Sequence, residues 1–314
     1  MHPATSIIGF TVASGAGYGL LAIAITAAIL GALPDDRLFA FVVMALGTGL
    51  VGTGLVSSTF HLGHPERAWR ALSQWRTSWL SREGLAALVT FVPLALFGIG
   101  WVFLGETRGP WALAGLLAVA GAIVSVACTA MIYASLKPIR AWHTPWTPAT
   151  YYLLALASGA VLLAMLLHLF SAPAAWADGL ALAALAAAWA AKLMYWRDID
   201  ANPITGTPES ATGLGSLGRV RQIVPPHTEE NWLLKEMGFR VARKHAAALR
   251  KLALATGLIL PAVLIVLAWL AAGAVATVLM VLAAASTVLG ILVERWLFFA
   301  EARHTVVNYY EGIR

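Results

Sequence analysis

Two ionisable side chains flank a short basic segment that separates two long apolar runs. His61 ends the second run and Glu83 begins the third, with residues 62–82 between them. An imidazole exchanges protons near neutral pH, and a carboxyl at a lipid boundary can relay them. Ionisable groups are costly at a hydrocarbon boundary and need a reason to be there. This pair therefore predicts a site for a redox ligand that carries protons.

The composition indicates that most of the chain lies in lipid. Of 314 residues, 60% are hydrophobic and only 11% are charged, whereas a soluble protein carries about a quarter charged residues. We predict an all-α, polytopic membrane protein in a single domain, with long helices that each suit a bilayer core of about 30 Å. Eight spans are expected, at roughly 5–31, 37–61, 83–104, 111–136, 149–170, 176–196, 246–270 and 272–300. Seven or nine remain open, because the sixth run is rich in Ala and the last two are nearly continuous.

The cationic residues are distributed very unevenly between the two predicted sides. With eight spans, 19 Lys and Arg residues fall on the side that carries both termini, and only Arg37 and Arg108 fall on the other. The positive-inside rule places the richer side in the cytoplasm. We therefore expect a multi-pass protein of the cell's inner membrane, with both termini cytoplasmic.

Two connections on the basic side are long enough to hold a partner. Residues 62–82 alternate Trp and Arg at spacings that predict an amphipathic helix in the membrane interface. Residues 197–245 form a polar segment rich in Gly, Ser, Thr and Pro, which predicts an irregular loop. The loop is the better docking candidate, because long polar loops are uncommon unless they are functional or disordered. The cationic residues expected to contact a partner are Arg67, Arg70, Arg76, Arg219 and Arg221.

Several motifs together resemble the membrane-anchor subunit of dimethyl sulfoxide reductase. They are His61-Leu-Gly63, Pro65, Arg67-Ala68, Ser81-x-Glu83, Trp142, Trp146-Thr-Pro148, Arg295 and His304. The resemblance covers all eight spans. It implies an anchor for a molybdopterin catalytic subunit and a ferredoxin-like iron–sulfur subunit, and an anchor that exchanges electrons with ubiquinone or menaquinone and carries no haem. Cys128 is the only cysteine, and one thiol cannot hold an iron–sulfur cluster, so any cluster lies on a partner.

The subtype follows from the loop and from the orientation. The segment 197–245 and the opening Met1-His-Pro-Ala resemble the anchor of cytoplasmic sulfite-oxidising enzymes of the same family. Dimethyl sulfoxide reductase anchors have periplasmic termini, whereas the charge distribution here predicts the reverse. We therefore expect sulfite oxidation coupled to quinone reduction. The alternatives are the anchor of a quinol-dependent reductase of dimethyl sulfoxide or another sulfur compound, a small permease and a purely structural anchor.

A quinone needs polar groups at its carbonyl oxygens, a proton path and an apolar slot for its tail. The expected quinone-binding residues are His61, Glu83, Arg82, Tyr18, Ser14, Arg295 and His304. Other roles are open for these residues: His61 as a helix cap, Glu83 paired with Arg82, and Arg295 paired with Glu294. The small-residue runs 14–19 and 47–54 are expected to pack two helices closely or to offer the slot. His61 and His304 are the only histidines at matching depth to hold a haem, and no bound haem is expected.

The orientation can be tested with topology reporters. Because 19 cationic residues lie on one side and 2 on the other, fusions at Arg314 and near Gly213 should both behave as cytoplasmic. A phosphatase reporter should be inactive and a fluorescent reporter active at both positions. Periplasmic signals at both positions would reverse the orientation and remove the argument for the sulfite subtype.

Overall fold

The computed structural model describes residues 4–60, 64–202, 206–221, 223–224 and 241–305. Within these ranges the regular structure is helical, apart from an isolated antiparallel bridge between Ile139 and His304. In the part of the chain that the structure describes, eight helices are long and apolar enough to cross a membrane. The predicted all-α class and the predicted eight spans are confirmed.

The spanning helices follow the apolar runs closely. Two of them contain a π-helical stretch: Ile99–Leu104 ends the third helix, and Ala255–Ile259 interrupts the seventh between Val241–Leu254 and Leu260–Leu270. The helices are α1 (Thr5–Ile29), α2 (Arg37–Thr59), α3 (Trp79–Leu104), α4 (Pro110–Ala134), α5 (Trp146–Leu169), α6 (Ala175–Ala201), α7 (Val241–Leu270) and α8 (Gly273–Ala300).

The helix ends differ from the prediction where polar residues continue a helix. The third helix starts four residues early, because the Ser78 hydroxyl caps it by accepting from the Ser81 amide at 3.4 Å. The sixth helix runs five residues further than predicted, and Asp198 in its last turn is held by Arg140 at 2.8 Å. The polar segment between α6 and α7 is correspondingly shorter than 197–245.

The helices form a bundle around α1, which packs against α2, α4, α5 and α8. The helices pack as antiparallel pairs, α1 with α2, α3 with α4, α5 with α6 and α7 with α8, as the short connections within each pair require. One end of the bundle carries the segments 64–78 and 135–145 and the chain that follows α6, and we call this end the loop face. The opposite face has only short turns, where Gly105 (φ +75°) ends α3 and Gly273 (φ +57°) starts α8.

Glycine brings α1 into backbone contact with two neighbours. A Cβ added at Gly17 would lie 2.6 Å from the Gly47 carbonyl oxygen of α2, and one at Gly159 of α5 would lie 2.2 Å from the Gly19 carbonyl carbon. The small-residue runs 14–19 and 47–54 therefore serve as a helix contact. They leave no open slot for a quinone tail between α1 and α2 along this contact.

The π-helical stretch of α7 is stabilised by donors from two neighbouring helices. A π turn frees backbone carbonyls, which need a partner inside a membrane. Trp189 Nε1 of α6 donates to the Gly257 carbonyl at 2.7 Å, and Ser286 Oγ of α8 donates to the Thr256 carbonyl at 2.6 Å. This arrangement ties α6 and α8 to the middle of α7.

The contact between α1 and α5 predicts a sharp difference between two glycine substitutions. Gly159→Ala should destabilise the protein by about 1–3 kcal/mol, because the new methyl group meets backbone that cannot move aside. Gly52→Ala is the matched control, since a Cβ there meets nothing within 4 Å and alanine favours the helix by about 0.5–1 kcal/mol. Thermal unfolding of both variants in detergent measures the difference, and equal midpoints would show that this packing is not as close as described.

Candidate functional site

Glu83 is a buried carboxyl in the wall of the bundle. Because α3 begins at Trp79, Glu83 lies one turn inside the helix. Its Oε1 accepts a hydrogen bond from the Thr129 hydroxyl of α4, which also donates to the Ser125 carbonyl at 3.1 Å. Glu83 is 5% exposed. The carboxyl therefore faces α4 within the helix bundle.

Arg82 has a separate role at the loop face. Its Nε donates to the Trp75 carbonyl at 2.9 Å and its Nη2 to the Arg76 carbonyl at 2.7 Å. The guanidinium also lies 4.3 Å from the centre of the Trp79 ring. Arg82 thus fastens the preceding segment to the start of α3, and these contacts give no support to the alternative in which it pairs with Glu83.

The two expected residues of α1 lie on the same side of the bundle interior. Ser14 is buried, and its hydroxyl donates to the Phe10 carbonyl at 2.7 Å. Tyr18 is buried beside Ser125 of α4, and apart from each other the two hydroxyls have no hydrogen-bond partner among the described residues. Buried hydroxyls without partners are uncommon in proteins. They mark a place where a water or a ligand group would be stabilised.

Arg295 of α8 belongs to a buried cluster of three charges. Its Nε lies 2.5 Å from Glu294 Oε2, which confirms the pair suggested by the sequence. The other carboxylate oxygen, Glu294 Oε1, lies 2.5 Å from Lys192 Nζ of α6. The charge distribution places Lys192 among the cations of the basic side, but its side chain is fully buried in the bundle. A lone lysine inside an Ala-rich apolar run was the signal that could have found it.

A small cavity separates the Arg295 side of the bundle from the Glu83 side. Its volume is about 20 Å³, enough for a single water. Arg295 and Tyr151 both line it and interact with each other; beyond that interaction, Arg295 Nη1 and Nη2 and the Tyr151 hydroxyl have no hydrogen-bond partner among the described residues. The polar lining residues are Thr11, Ser14, Thr129, Tyr151, Ser158 and Arg295. Thr129 lines the cavity and also donates to Glu83, so the cavity lies between Glu83 and Arg295. We call these three residues and the cavity between them the Glu83–Arg295 cluster.

An apolar groove of about 420 Å³ lies beside this cluster, between α1, α7 and α8. Its lining is almost entirely hydrocarbon, from Thr5, Ile8, Gly9, Leu249, Leu292, Val293 and Trp296. On α1, Ile8 of the groove lies one turn before Val12 of the cavity. The volume falls in the range of small-molecule sites, which is about 300–1,000 Å³.

Of the two expected histidines, one is described by the structure, and it lies away from this cavity. His61 lies outside the described residues. His304 follows α8, and its backbone pairs with Ile139 in the α4–α5 connection. Among the described residues, none of those that line the cavity is a histidine. Within the described ranges no group of three His, Cys, Asp or Glu residues is placed to hold a metal ion.

The basic residues expected to dock a partner are exposed on the loop face. Residues Pro65–Gln74 form a 3-10 helix, where an amphipathic helix was predicted. Arg70 lies over the Trp69 ring and Arg76 over the Trp75 ring, at 5.5 and 5.3 Å. Both indoles are exposed, as an interfacial segment requires.

The loop after α6 carries a small ordered unit. Thr207 and Ser210 form a capping box around the helix Pro208–Thr212, and the Glu209 carboxylate accepts the Val220 amide at 3.0 Å. Hydrogen bonds to backbone amides and to Thr207 hold the pKa of Glu209 below its usual value. Arg219 and Arg221 are exposed beside apolar side chains that are also exposed, among them Leu217 at 84% and Ile223 at 91%. A loop predicted to be irregular is thus partly folded.

A polar pocket of about 230 Å³ opens on the loop face between the ends of α6, α7 and α8. Arg250 bridges Asp200 and Glu301 there, at 2.6 and 2.9 Å. Burial raises the pKa of Glu301 above its usual value, and Arg250 opposes that shift. The pocket therefore contains both cationic and anionic groups.

The opposite face holds a second buried acid–base pair. His168 Nε2 of α5 lies 3.2 Å from Asp178 Oδ2 of α6, and both side chains are buried. Thr277 of α8 donates to the His168 carbonyl at 3.1 Å. The pair joins three helices at the end of the bundle that lacks long connections.

Comparison with known proteins identifies the family. A family model described as the DMSO reductase anchor subunit (DmsC) matches residues 1–300. The C subunit of the sulfite dehydrogenase of Allochromatium vinosum is 33% identical over 335 aligned positions that cover all of both proteins. The C subunit of the anaerobic dimethyl sulfoxide reductase of Escherichia coli is 31% identical over 123 residues, which are 38% of this chain and 42% of that protein. No solved structure matches the chain.

The match to the family model covers nearly the whole sequence, and a full-length relative exceeds 30% identity. The buried carboxyl and arginine at the loop-face end of an eight-helix bundle are thus features of a membrane protein that belongs to the family of DMSO reductase anchor subunits.

Proposed function

We propose that this anchor passes electrons between an iron–sulfur subunit docked on its loop face and a quinone bound beside the Glu83–Arg295 cluster. The overall reaction of the complex is sulfite oxidation at a molybdopterin subunit with reduction of ubiquinone or menaquinone. One observation carries the proposal: a cavity lined by Arg295 and Tyr151, whose buried polar atoms have no partner beyond each other among the described residues, lies next to an apolar groove at the face that carries the basic loops.

The groove suits the apolar parts of a quinone. Its lining offers almost no polar surface, and α7 on one side of it is the least buried of the eight spans. A quinone supplies a two-electron, two-proton redox step when it is bound. The groove would hold its ring and the first units of its tail in an environment as apolar as lipid, and would direct the carbonyl oxygens toward the cavity.

The cluster suits the polar parts. Arg295 lines the cavity with a guanidinium that has no acceptor beyond Glu294 and Tyr151 among the described residues, and the Thr129 hydroxyl lies between the cavity and Glu83. Such donors stabilise negative charge on an oxygen, and the effect is strong in a water-excluded site. Glu83 can exchange a proton with the cavity through Thr129 or a single water. His61, at the end of the second apolar run, is proposed as a further donor from the loop side.

The loop face suits an electron-transfer partner. Its exposed Arg residues alternate with exposed Trp and aliphatic side chains, as seen for Arg70 with Trp69 and for Arg219 near Leu217. Protein interfaces are enriched in Trp and Arg, and exposed apolar patches mark interaction sites. The full-length relative, which is named as part of a sulfite dehydrogenase, supports the sulfite subtype. The cationic side of the membrane, and hence the partner, is proposed to be cytoplasmic.

The role of Glu83 is tested by removing its charge while keeping its shape. Glu83→Gln complexes should assemble and lose quinone turnover by about 10²-fold, the scale of a lost general acid or base. Thr90→Val is the matched control: it lies two turns along the same helix, equally buried, with a hydroxyl that bonds only its own helix at the Ala86 carbonyl. Both variants should reduce water-soluble artificial acceptors normally, because those reactions bypass the anchor.

A purely structural anchor gives a different result in that experiment. Its Glu83→Gln variant would assemble poorly or turn over quinone at the wild-type rate. Wild-type turnover with normal assembly would place the proton chemistry elsewhere in the chain.

The docking surface is tested by charge reversal. Arg219→Glu with Arg221→Glu should weaken attachment of the soluble subunits to membranes and lower the salt concentration that releases them. Arg37→Glu with Arg108→Glu makes the same charge change at two exposed residues of the opposite face, which is not part of the proposed docking surface. Deleting 205–224 should release the subunits outright while the anchor still inserts. Retention of the subunits with unchanged salt sensitivity in all of these variants would exclude the loop as the dock.

A further inference from the structure

The charges behind the cavity continue toward the loop face. Glu294 contacts Arg295 on its cavity side and Lys192 on its other side, each at 2.5 Å. Lys192 lies within electrostatic range of Glu301, which lies seven residues after Glu294 and just beyond the end of α8. Seven helical residues span about 10 Å. Glu301 in turn lines the polar pocket at the loop face together with Arg250 and Asp200.

We propose that Glu294, Lys192 and Glu301 form a proton path that joins the quinone-side cavity to the loop-face pocket. This inference rests on the proposed quinone function and adds that the protons for the quinone enter from the loop face. Glu294, Lys192 and Glu301 are then relay groups, and Arg295, which keeps its proton, positions the Glu294 carboxylate.

Burying the charges of Glu294, Lys192 and Arg295 costs folding free energy, so their presence calls for a functional reason. Removing two cations and a carboxylate from water costs several kcal/mol per ion, and replacing such groups by apolar residues is often neutral or stabilising. A structural role alone would be met by one ion pair. Here one carboxylate lies between two cations: Arg295 lines the water-sized cavity, and Lys192 lies within electrostatic range of Glu301 at the polar pocket.

The proton balance closes because each relay group returns to its starting protonation state. Each quinone reduced takes two electrons from the iron–sulfur partner and two protons. For each proton, an N–H bond of Lys192 breaks as an O–H bond forms on Glu294, and Glu294 then releases that proton to the cavity. Lys192 regains a proton from the pocket through Glu301. The same steps in reverse release protons during quinol oxidation.

The pair on the opposite face provides the matched comparison. His168 and Asp178 are also a buried acid–base pair between helices, and they include α6, the helix that carries Lys192. They lie at the other end of the bundle and line neither the cavity nor the polar pocket. If protons reach the cavity from the loop face, this pair has no part in turnover.

The test uses the complete complex in liposomes with a short-chain quinone. Lys192→Met keeps the volume and leaves Glu294 paired with Arg295, and it should lower the quinone kcat at least about tenfold with an unchanged KM. Formate or azide, weak acids that carry protons, should restore a large part of that rate. Glu301→Gln, outside the spans, should act in the same direction and carries the test if Lys192→Met fails to assemble. Asp178→Asn should keep the wild-type kcat.

The outcomes separate the path from the quinone site. Val293→Trp fills the groove and should raise the quinone KM, whereas Leu289→Trp, exposed one turn away on α8, should not. A KM unchanged by Val293→Trp would overturn the proposed quinone site. A raised KM there, combined with wild-type kcat in both Lys192→Met and Glu301→Gln, would overturn the path alone. The path would also be overturned if Asp178→Asn lost kcat, or if weak acids failed to restore the rate of Lys192→Met.

Discussion

A charge within the hydrocarbon must find its partner inside the protein, and this constraint organises the bundle. Glu294 contacts both Lys192 and Arg295, so one carboxylate holds α6 to α8. Arg295 also lies 4.1 Å from the Tyr151 ring of α5. Two cations against one carboxylate leave an excess positive charge in the interior, and Arg295 brings that charge to the wall of the cavity. Glu83, on the far side of the cavity, is the buried carboxyl that can balance it.

Aromatic packing closes the bundle around this charge. Tyr133 of α4 contacts Tyr151, Trp142, Phe298 and Phe299 with ring centres between 5.1 and 5.9 Å apart. Trp142 also donates from Nε1 to the Phe298 carbonyl at 3.0 Å, which fixes the α4–α5 connection to the end of α8. Rings with few polar atoms keep water out between the cavity and the loop face. The proposed proton path runs where ionisable side chains, rather than rings, line the interior.

Hydropathy predicted the fold because a membrane leaves the backbone few choices. Lipid offers no hydrogen bonds, so each apolar run long enough to cross must be a helix. The spans were therefore placed within a few residues, and Glu83 and Arg295 were recognised as ionisable groups near their ends. The partner of Glu83 could not be predicted, because Thr129 lies 46 residues away and meets it only through the packing of α3 on α4. Residue type alone does not contain that information.

Lys192 and the groove show the same limit more clearly. A lysine nine residues before the end of α6 can extend its side chain to the membrane surface or turn inward, and only the position of Glu294 on a separate helix decides between them. The groove lies between α1, α7 and α8, and no single run of residues encodes how three separate helices are arranged. The small-residue seam of α1 and α2 was a visible signal, but its glycines serve close contact.

The two ends of the bundle differ in a way that bears on energy conservation. The opposite face is joined by His168, Asp178 and Thr277 and by short turns. The cavity and groove lie toward the loop face, and the polar pocket opens on it. If electrons arrive from a partner on the loop face and protons arrive through Glu301 on the same face, neither charge crosses the bilayer. Quinone turnover by this anchor would then generate no membrane potential of its own, and the complex would contribute to energy conservation only through the quinol that it supplies.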